Sequence, residues 1–523
     1  MNLISKLQYL LLKNSKVVLS IAVIYFLCSA FLGMEGMDGF FHINQAILIT
    51  GNLPFETILT SLTLKLLYIF FGQYYILYRL FNLFLFLISY FFIFTLVKNS
   101  FRTPFLRLMF ACFIVLSIPM NFNILGYDSL SIFSISICIW FLLKYNIEKT
   151  FNFIVFAFFV AISGLIRLPN LVILLWICLF FLDYRKVRMQ NWKTLFYLYC
   201  KIGVFSILFY LGFLIIHYSS IHNITHSFAS NRHHNVIKLL LRYFSDLSQI
   251  SYYLLGFIFL YFFSKIKKPR FLFFIALFVF FKFLYKSHIN YHIEHWQYSF
   301  VFSAFIFSLI IIDAVGTKSI RSKHLFYLFS ISIVCIGADT GLLKMAFPNP
   351  LILLLFVEIF NSNNRRYLYG CLIVLLPLSI IESFTTTYGD AGYPQLRKVF
   401  NQKSLYPIRT NEKNYHFVNA VIDVSNKLEN EGYKVFYYGQ GAMLYDFLRP
   451  NPRSIYTYHQ PLDQLDEMNS ILQQNKNNKI AIILFKFSTS KLTNVEQLLL
   501  NNGFKVYDSS YIFIYVNDSI VKK

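Results

Sequence analysis

The sequence predicts a polytopic α-helical membrane protein that ends in a soluble α/β domain, and three observations predict it. Of its 523 residues 57% are hydrophobic and only 14% are charged, with a mean hydropathy of +0.56. Those values exclude an ordinary soluble globule. The 62 phenylalanines gather in runs such as "FLFFIALFVFFKF", apolar on every side, which require lipid or other helices all round. From about residue 384 the composition turns polar and rich in Asn and Lys, with short helical and strand patterns in alternation.

At about 15 to 22 apolar residues per span, roughly 13 spans emerge. They fall near 17–34, 73–97, 104–119, 124–143, 151–166, 170–183, 195–217, 247–264, 271–286, 297–315, 325–343, 349–360 and 367–383. Lys6, Lys13 and Lys16 precede the first run, and no small-x-small cleavage site follows, so it reads as an uncleaved span. The run 57–72 follows a Pro-containing loop and reads as an interfacial helix. Residues 1–383 thus form the membrane region, with interfacial helices in the first outside loop (35–72).

The net charge of +23 is explained by its placement. Lys98, Arg102 and Arg107, then Arg185 to Lys193, Lys265 to Arg270, Lys318 to Lys323, and Arg365 with Arg366 all fall on one side when the spans alternate. Basic loops of this kind encode orientation, so the N-terminus is expected in the cytoplasm and the tail outside, with no role for nucleic acid. The exceptions are Arg167, the stretch 232–242 and Lys344. All seven cysteines lie in apolar runs and read as packing residues.

In residues 384–523 the expected order is helix 415–431, strand "KVFYYG", helix 441–449, strand "SIYTY", helix 463–475, strand "KIAIILFKF", helix 491–502 and the hairpin "FKVYDSSYIFIYV". This is a small α/β domain placed outside the cytoplasm. The glycines of "YYGQGAM" read as a tight turn rather than a phosphate loop, since Gly-x-Gly alone is weak.

Ionisable residues are concentrated in the outside loops. "GMEGMDGFFHINQAILITGN" carries Glu35, Asp38 and His42 next to the first span, and an ionisable group beside hydrocarbon is a functional candidate by default. Asp38 before Gly-Phe-Phe also suits a helix N-cap, as does Asp128 in "GYDSLS". In "HINYHIEHW", His288, His292 and His295 recur at i, i+4 and i+7 on one helix face. That spacing allows a divalent metal, but an aromatic helix end at the headgroup level, or phosphate or acceptor binding, is the favoured reading. Otherwise no metal site or cofactor is indicated.

Several of these segments together resemble the GT-C superfamily of membrane glycosyltransferases, nearest to its protein O-mannosyltransferase and aminoarabinose transferase branches. The first span with an acidic outside loop, followed by "YRLFNLFLFLISYFF", carries the resemblance. So do "GYDSLSIFSISICIWFLLKY", "SGLIRLPNLVILLW" and the tail segment "VNAVIDVSNKLENEGYKVFYYGQGAMLYDFLRP". The resemblance implies a GT-C-like membrane domain and transfer of a sugar from a polyprenyl-phosphate donor to a glycan, lipid or protein acceptor. The site would lie on the outer face of a bacterial cell membrane. Those branches carry Asp-Glu in the first loop, whereas Asp38 is followed by Gly39, so Asp38 and Glu35 both stand as the base. An inverting transfer needs such a base, and cations on the departing phosphate. Arg79, Arg167, Lys344 and His295 are the candidates for the phosphate, with His42, Asp128, His288 and His292 also in reach of the reading. Each cation has a plainer reading, as a snorkelling residue or a span end. The alternatives are a transporter or flippase of lipid-linked glycans, which predicts charges in mid-span and broken helices in matched halves, and a membrane scaffold whose tail binds a partner.

Overall fold

A computed structural model describes residues 9–34, 40, 43–44, 57–119, 125–188, 192–217, 236–266, 271–289, 296–317, 321–336, 341–360, 364–387, 390–438, 442–448, 454–455, 463–476, 478–485, 493–508 and 512–517. Its contacts gather into two units. One comprises Met1–Ala30, Gly51–Thr63 and Tyr78–Tyr388; the other comprises Phe31–Thr50, Leu64–Leu77 and Gly389–Lys523.

The first unit is helical. In chain order it holds α1 (Ser15–Cys28), the first half of α2 (Ile58–Phe71), α3 (Tyr75–Val97) from Tyr78 onward, α4 (Thr103–Ser117), α5 (Tyr127–Lys144) and α6 (Thr150–Ile166). Next come α7 (Ile173–Arg188), α8 (Trp192–Ile216), α9 (Val236–Lys265), α10 (Phe271–Ile289) and α11 (Trp296–Thr317). Then follow α12 (Ser322–Ser332), α13 (Asn349–Ile359) and α14 (Arg365–Thr385). Six of these, within α3, α5, α8, α9, α11 and α14, are long and apolar enough to cross a membrane; the other apolar helices are shorter. The region is polytopic, and each expected span overlaps a helix, but the one expected over 325–343 is helical only to Ser332, where α12 passes into the 3-10 turn Ile333–Cys335, and its far end lies in the separate 3-10 turn Gly341–Ala346.

The exterior of this unit shows why it needs a membrane. Phe84, Phe91, Phe151, Phe196, Ile215, Leu255 and Phe278 are all more than half exposed. Large apolar side chains spread along whole helices are unfavourable in water and neutral in lipid. Inside, α1 packs on α4, α9 on α11, α6 on both α5 and α8, and α7 on α12. Serines on the helices return their hydroxyls to backbone carbonyls or meet each other, as Ser134 and Ser163 do at 2.9 Å between α5 and α6. Such pairing satisfies polar groups where water cannot. The α2 helix begins against α6 and α8, with Ile58 among Ala161, Leu165, Tyr210 and Leu214. The Thr60 hydroxyl there donates to the Ile166 carbonyl at 2.9 Å.

The basic ends of the helices have structural work as well. Arg366 donates to the Ile266 carbonyl at 2.6 Å, closing the C-terminus of α9. His324 meets the buried Asp313 at 2.7 Å, tying α12 to α11. Lys144 sits 4.6 Å from the centre of the Trp140 ring.

The second unit contains a five-stranded sheet built from β1 (Lys434–Tyr438), β2 (Ser454–Ile455), β3 (Ile480–Phe485), β4 (Lys505–Asp508) and β5 (Ile512–Val516). The order is β2-β1-β3-β5-β4; β1 is parallel to β2 and β3, and the β4–β5 hairpin is antiparallel. Helices α15 (Glu412–Asn430), α16 (Ala442–Leu448), α17 (Asp463–Gln474) and α18 (Thr493–Asn501) make the connections, so the expected α/β order is present. The α15 helix starts where Asn411 accepts the Asn414 N–H at 2.8 Å. One face of the sheet buries Phe436, Tyr438, Ile480, Ile482, Leu484 and Tyr515 against Met468, Val495 and Leu499. Apolar alternation of this kind sets the strand register.

The first-loop segment joins this unit through backbone as well as side chains. Gly33 N–H donates to the Arg409 carbonyl at 3.0 Å, and Tyr75 N–H to the Ser404 carbonyl at 3.0 Å. Phe40 stacks on Tyr75 with ring centres 4.2 Å apart, and both rings meet Phe447. Asp390 is the hub. Its carboxylate accepts from the N–H groups of Met34 (3.0 Å), Ala391 (2.8 Å) and Asn411 (3.3 Å), the Thr410 hydroxyl (2.5 Å) and the Asn411 side chain.

Candidate functional site

Three charged side chains from widely separated stretches converge at one end of the helical unit. Asp128 lies in the first turn of α5, Arg167 follows the last residue of α6, and Lys344 lies in the 3-10 turn Gly341–Ala346. Because α5 and α6 are consecutive and antiparallel, the start of one and the end of the other share an end of the bundle. The Lys344 ammonium donates to an Asp128 carboxylate oxygen at 2.5 Å, and the Arg167 guanidinium lies 3.9 Å from the other oxygen. The Tyr127 ring stands beside both cations, 5.2 Å from the Arg167 guanidinium carbon and 5.4 Å from the Lys344 nitrogen.

Local sequence explains each placement. Ser129, not Asp128, closes the start of α5: its hydroxyl accepts the Gly126 N–H at 3.2 Å. The cap expected of Asp128 is therefore supplied by its neighbour, which leaves the carboxylate for Lys344, in a first turn whose dipole favours negative charge. Arg167 adopts extended backbone and so ends α6. Its guanidinium donates to the Val334 carbonyl at 2.9 Å and the Ile336 carbonyl at 2.7 Å, groups left over where α12 ends in a 3-10 turn. Arg167 thus combines a structural role with a charged one.

The cluster is dry at its cations and partly open at its acid. The side chains of Arg167 and Lys344 are 6% and 11% exposed, that of Asp128 25%. Burial alone pushes the Lys344 ammonium down from the usual lysine range; Asp128, with Tyr127, more than offsets this and the net shift is upward. Two cations share one carboxylate, so the cluster carries a surplus positive charge in a low-dielectric setting. An oxyanion reaching it would find a rigid Arg fork and a Lys point charge together.

The remaining candidates divide. Arg79, buried in the first turn of α3, directs its guanidinium to the Ser29 carbonyl at 3.5 Å, at the end of α1. His288 lies in the last turn of α10. Glu35, Asp38, His42, His292 and His295 lie outside the described residues. Among the described residues no three His, Cys, Asp or Glu side chains converge as a metal site. A cavity of about 360 Å³ lies at the opposite end of the bundle, between Val97, Leu143 and the Lys323–Glu358 pair (2.8 Å). It does not reach the Asp128 cluster.

Sequence reasoning missed Asp246, buried in α9, and Asp390. "LRYFSDLSQ" held a usable signal, since an acid inside an apolar run with Arg four residues earlier is an i,i+4 pair worth attention. Asp390 had no comparable signal in "YGDAGYP", which reads as a turn.

No protein-family model matches the chain, and no curated protein matches it either.

Proposed function

We propose that this chain is an integral-membrane glycosyltransferase that moves a sugar from a polyprenyl-phosphate carrier to an acceptor on the outer face of a bacterial cell membrane. The observation that carries the reading is the convergence of Asp128, Arg167 and Lys344 at one end of an apolar helical unit, with a surplus positive charge. A polyprenyl-phosphate donor keeps its tail in lipid and its phosphate at the boundary, where such a cluster meets it. In this reading Arg167 and Lys344 stabilise the charge that grows on the departing phosphate, while Asp128 orients the lysine. Asp38 or Glu35 takes the proton of the acceptor hydroxyl as the sugar carbon becomes cationic. The thirteen-span GT-C-like layout, the cytoplasmic N-terminus and the outside tail belong to the same proposal. The buried ionisable groups Arg167, Asp313, Lys344 and Glu382 and the half-buried Asp128 sit at or near helix ends, and Asp246, inside α9, is paired with Arg242 of its own helix, which favours an enzyme over a transporter.

The test is sugar transfer from polyprenyl-phosphate-sugar in membranes holding matched amounts of protein. Asp38→Asn keeps the size and one side-chain acceptor oxygen and removes the base, and the expected loss is about 10²- to 10⁴-fold. Glu35→Gln in parallel decides between the two acids, and Lys344→Ala should weaken donor use. Full activity in both acid variants would sink the carboxylate mechanism; vectorial movement of the lipid-linked sugar without transfer would turn the reading into the flippase.

A further inference from the structure

The turn that carries Lys344 is held from outside by a different helix. Asp246 of α9 accepts the Leu342 N–H at 2.9 Å with one carboxylate oxygen and pairs with the Arg242 guanidinium at 3.2 Å through the other. One turn away from that carboxylate on the same helix, Tyr243 donates its hydroxyl to the Cys335 carbonyl at 2.7 Å. Helix α9 therefore grips the chain both before and within the 3-10 turn Gly341–Ala346. A carboxylate accepting a free N–H at the start of a helical turn acts as a cap supplied from elsewhere in the fold.

Gly341 is what lets the carboxylate in. Its φ of +62° is the left-handed region that favours glycine, and a Cβ there would lie 2.1 Å from the Asp246 oxygen and 3.2 Å from the Arg242 side chain. Both features act two or three residues before Lys344, whose ammonium reaches Asp128 across the bundle. The carboxylate is buried, so its acceptor capacity is spent on the turn and on Arg242 rather than on water.

We infer that Asp246 and Gly341 are positioning residues: together they set the turn that delivers Lys344 to Asp128. The inference rests on the proposed role of Lys344 for its bearing on function, but its geometry is tested apart from any sugar chemistry. Asp246→Asn keeps an oxygen for the Leu342 N–H and loses the charge facing Arg242; Asp246→Leu keeps size and loses both; Gly341→Ala retains the Asp246 residue but sets a methyl against its carboxylate and strains the left-handed turn.

The readout is acetylation of Lys344 by acetic anhydride against pH, measured by mass spectrometry on the full chain in detergent micelles. Lys323 serves as the internal control for global loosening. Only the free amine reacts, so each unit by which the Lys344 pKa falls raises its rate about tenfold at a given pH below the pKa. Asp246→Leu and Gly341→Ala should each raise Lys344 labelling about tenfold, matching Asp128→Asn, with Lys323 unchanged. Asp246→Asn should stay within about twofold of wild type if the capping oxygen is what matters. Wild-type Lys344 labelling in Gly341→Ala, or in a folded Asp246→Leu, overturns the inference, as does a rise of Lys323 in step with Lys344. Failure of the transfer assay with this labelling pattern intact would remove the proposed enzyme while leaving the positioning in place.

Discussion

At the scale of single residues, the Asp128–Lys344 contact illustrates how a charge is kept in a dry place. Removing only Asp128 strands a nearly buried ammonium, and leaving such a donor unsatisfied costs roughly 1–3 kcal/mol. Removing both partners costs less, because the ammonium is then gone as well and Arg167, 3.9 Å from Asp128, keeps its two carbonyl acceptors. Asp128→Asn should therefore lower the unfolding temperature in detergent more than Asp128→Leu with Lys344→Met, and a double-mutant cycle checks it. The pH dependence follows from the same pair. The folded-state pKa of Lys344 is raised above the ordinary value of 10.5. Its contribution is present below the unfolded-state value and is lost as pH rises through the folded one. Stability should thus fall above about pH 10.5 in wild type, and Lys344→Met should lack that component. Lys344 and Arg167 were legible as candidates because they break the one-sided pattern of basic residues. Their meeting was not legible, since 177 residues separate them in the chain (344 − 167).

At the scale of elements, the segment after α1 and the tail behave as one construction around Asp390. That carboxylate satisfies three N–H groups, a hydroxyl and an amide at once, including Met34 N–H, 356 residues away. Asp390→Ala should destabilise the second unit by about 2 kcal/mol or more, because several partly buried donors lose their acceptor together. Limited proteolysis of detergent-solubilised protein reads this: cleavage near residues 31–34 and 404–411 should rise together in the variant. Cleavage confined to the tail would show that the two segments are not coupled. The helices and strands of the tail were legible from alternation, although α15 starts at Glu412, after the Asn411 cap, rather than at the expected 415. The joining of residues 31–34 to 409–411 was not, because it is made largely by backbone groups, which every sequence carries alike.

At the scale of the whole molecule, orientation is the property on which the proposed chemistry depends. Lys and Arg cluster in alternate connections, and such loops stay cytoplasmic. Reporters fused after residues 110 and 190 should read cytoplasmic, and those after residues 230 and 400 outside. A cytoplasmic reading at residue 400 would remove the shared outer face on which the proposed site assignments depend. The apolar exterior makes a second demand, that the helical unit be held by lipid or detergent at every step of purification.

The sequence by itself determined the solvent and the kinds of element: apolar runs long enough to make helices in lipid, a polar tail with alternating patterns, and Lys and Arg gathered between the apolar runs. These are local properties, written in composition and periodicity, and lipid reads them almost independently of tertiary contacts. Only the tertiary structure decided that Ser129 rather than Asp128 caps α5, that Arg167 closes the end of α12, and that Asp246 reaches across to the turn of Lys344. The reason is physical. Within a bundle of uniformly apolar helices many packings bury similar area, so hydrophobicity does not single one out. The choice falls to a few polar groups that must each find a partner, and those partners are assigned only when the whole chain is folded.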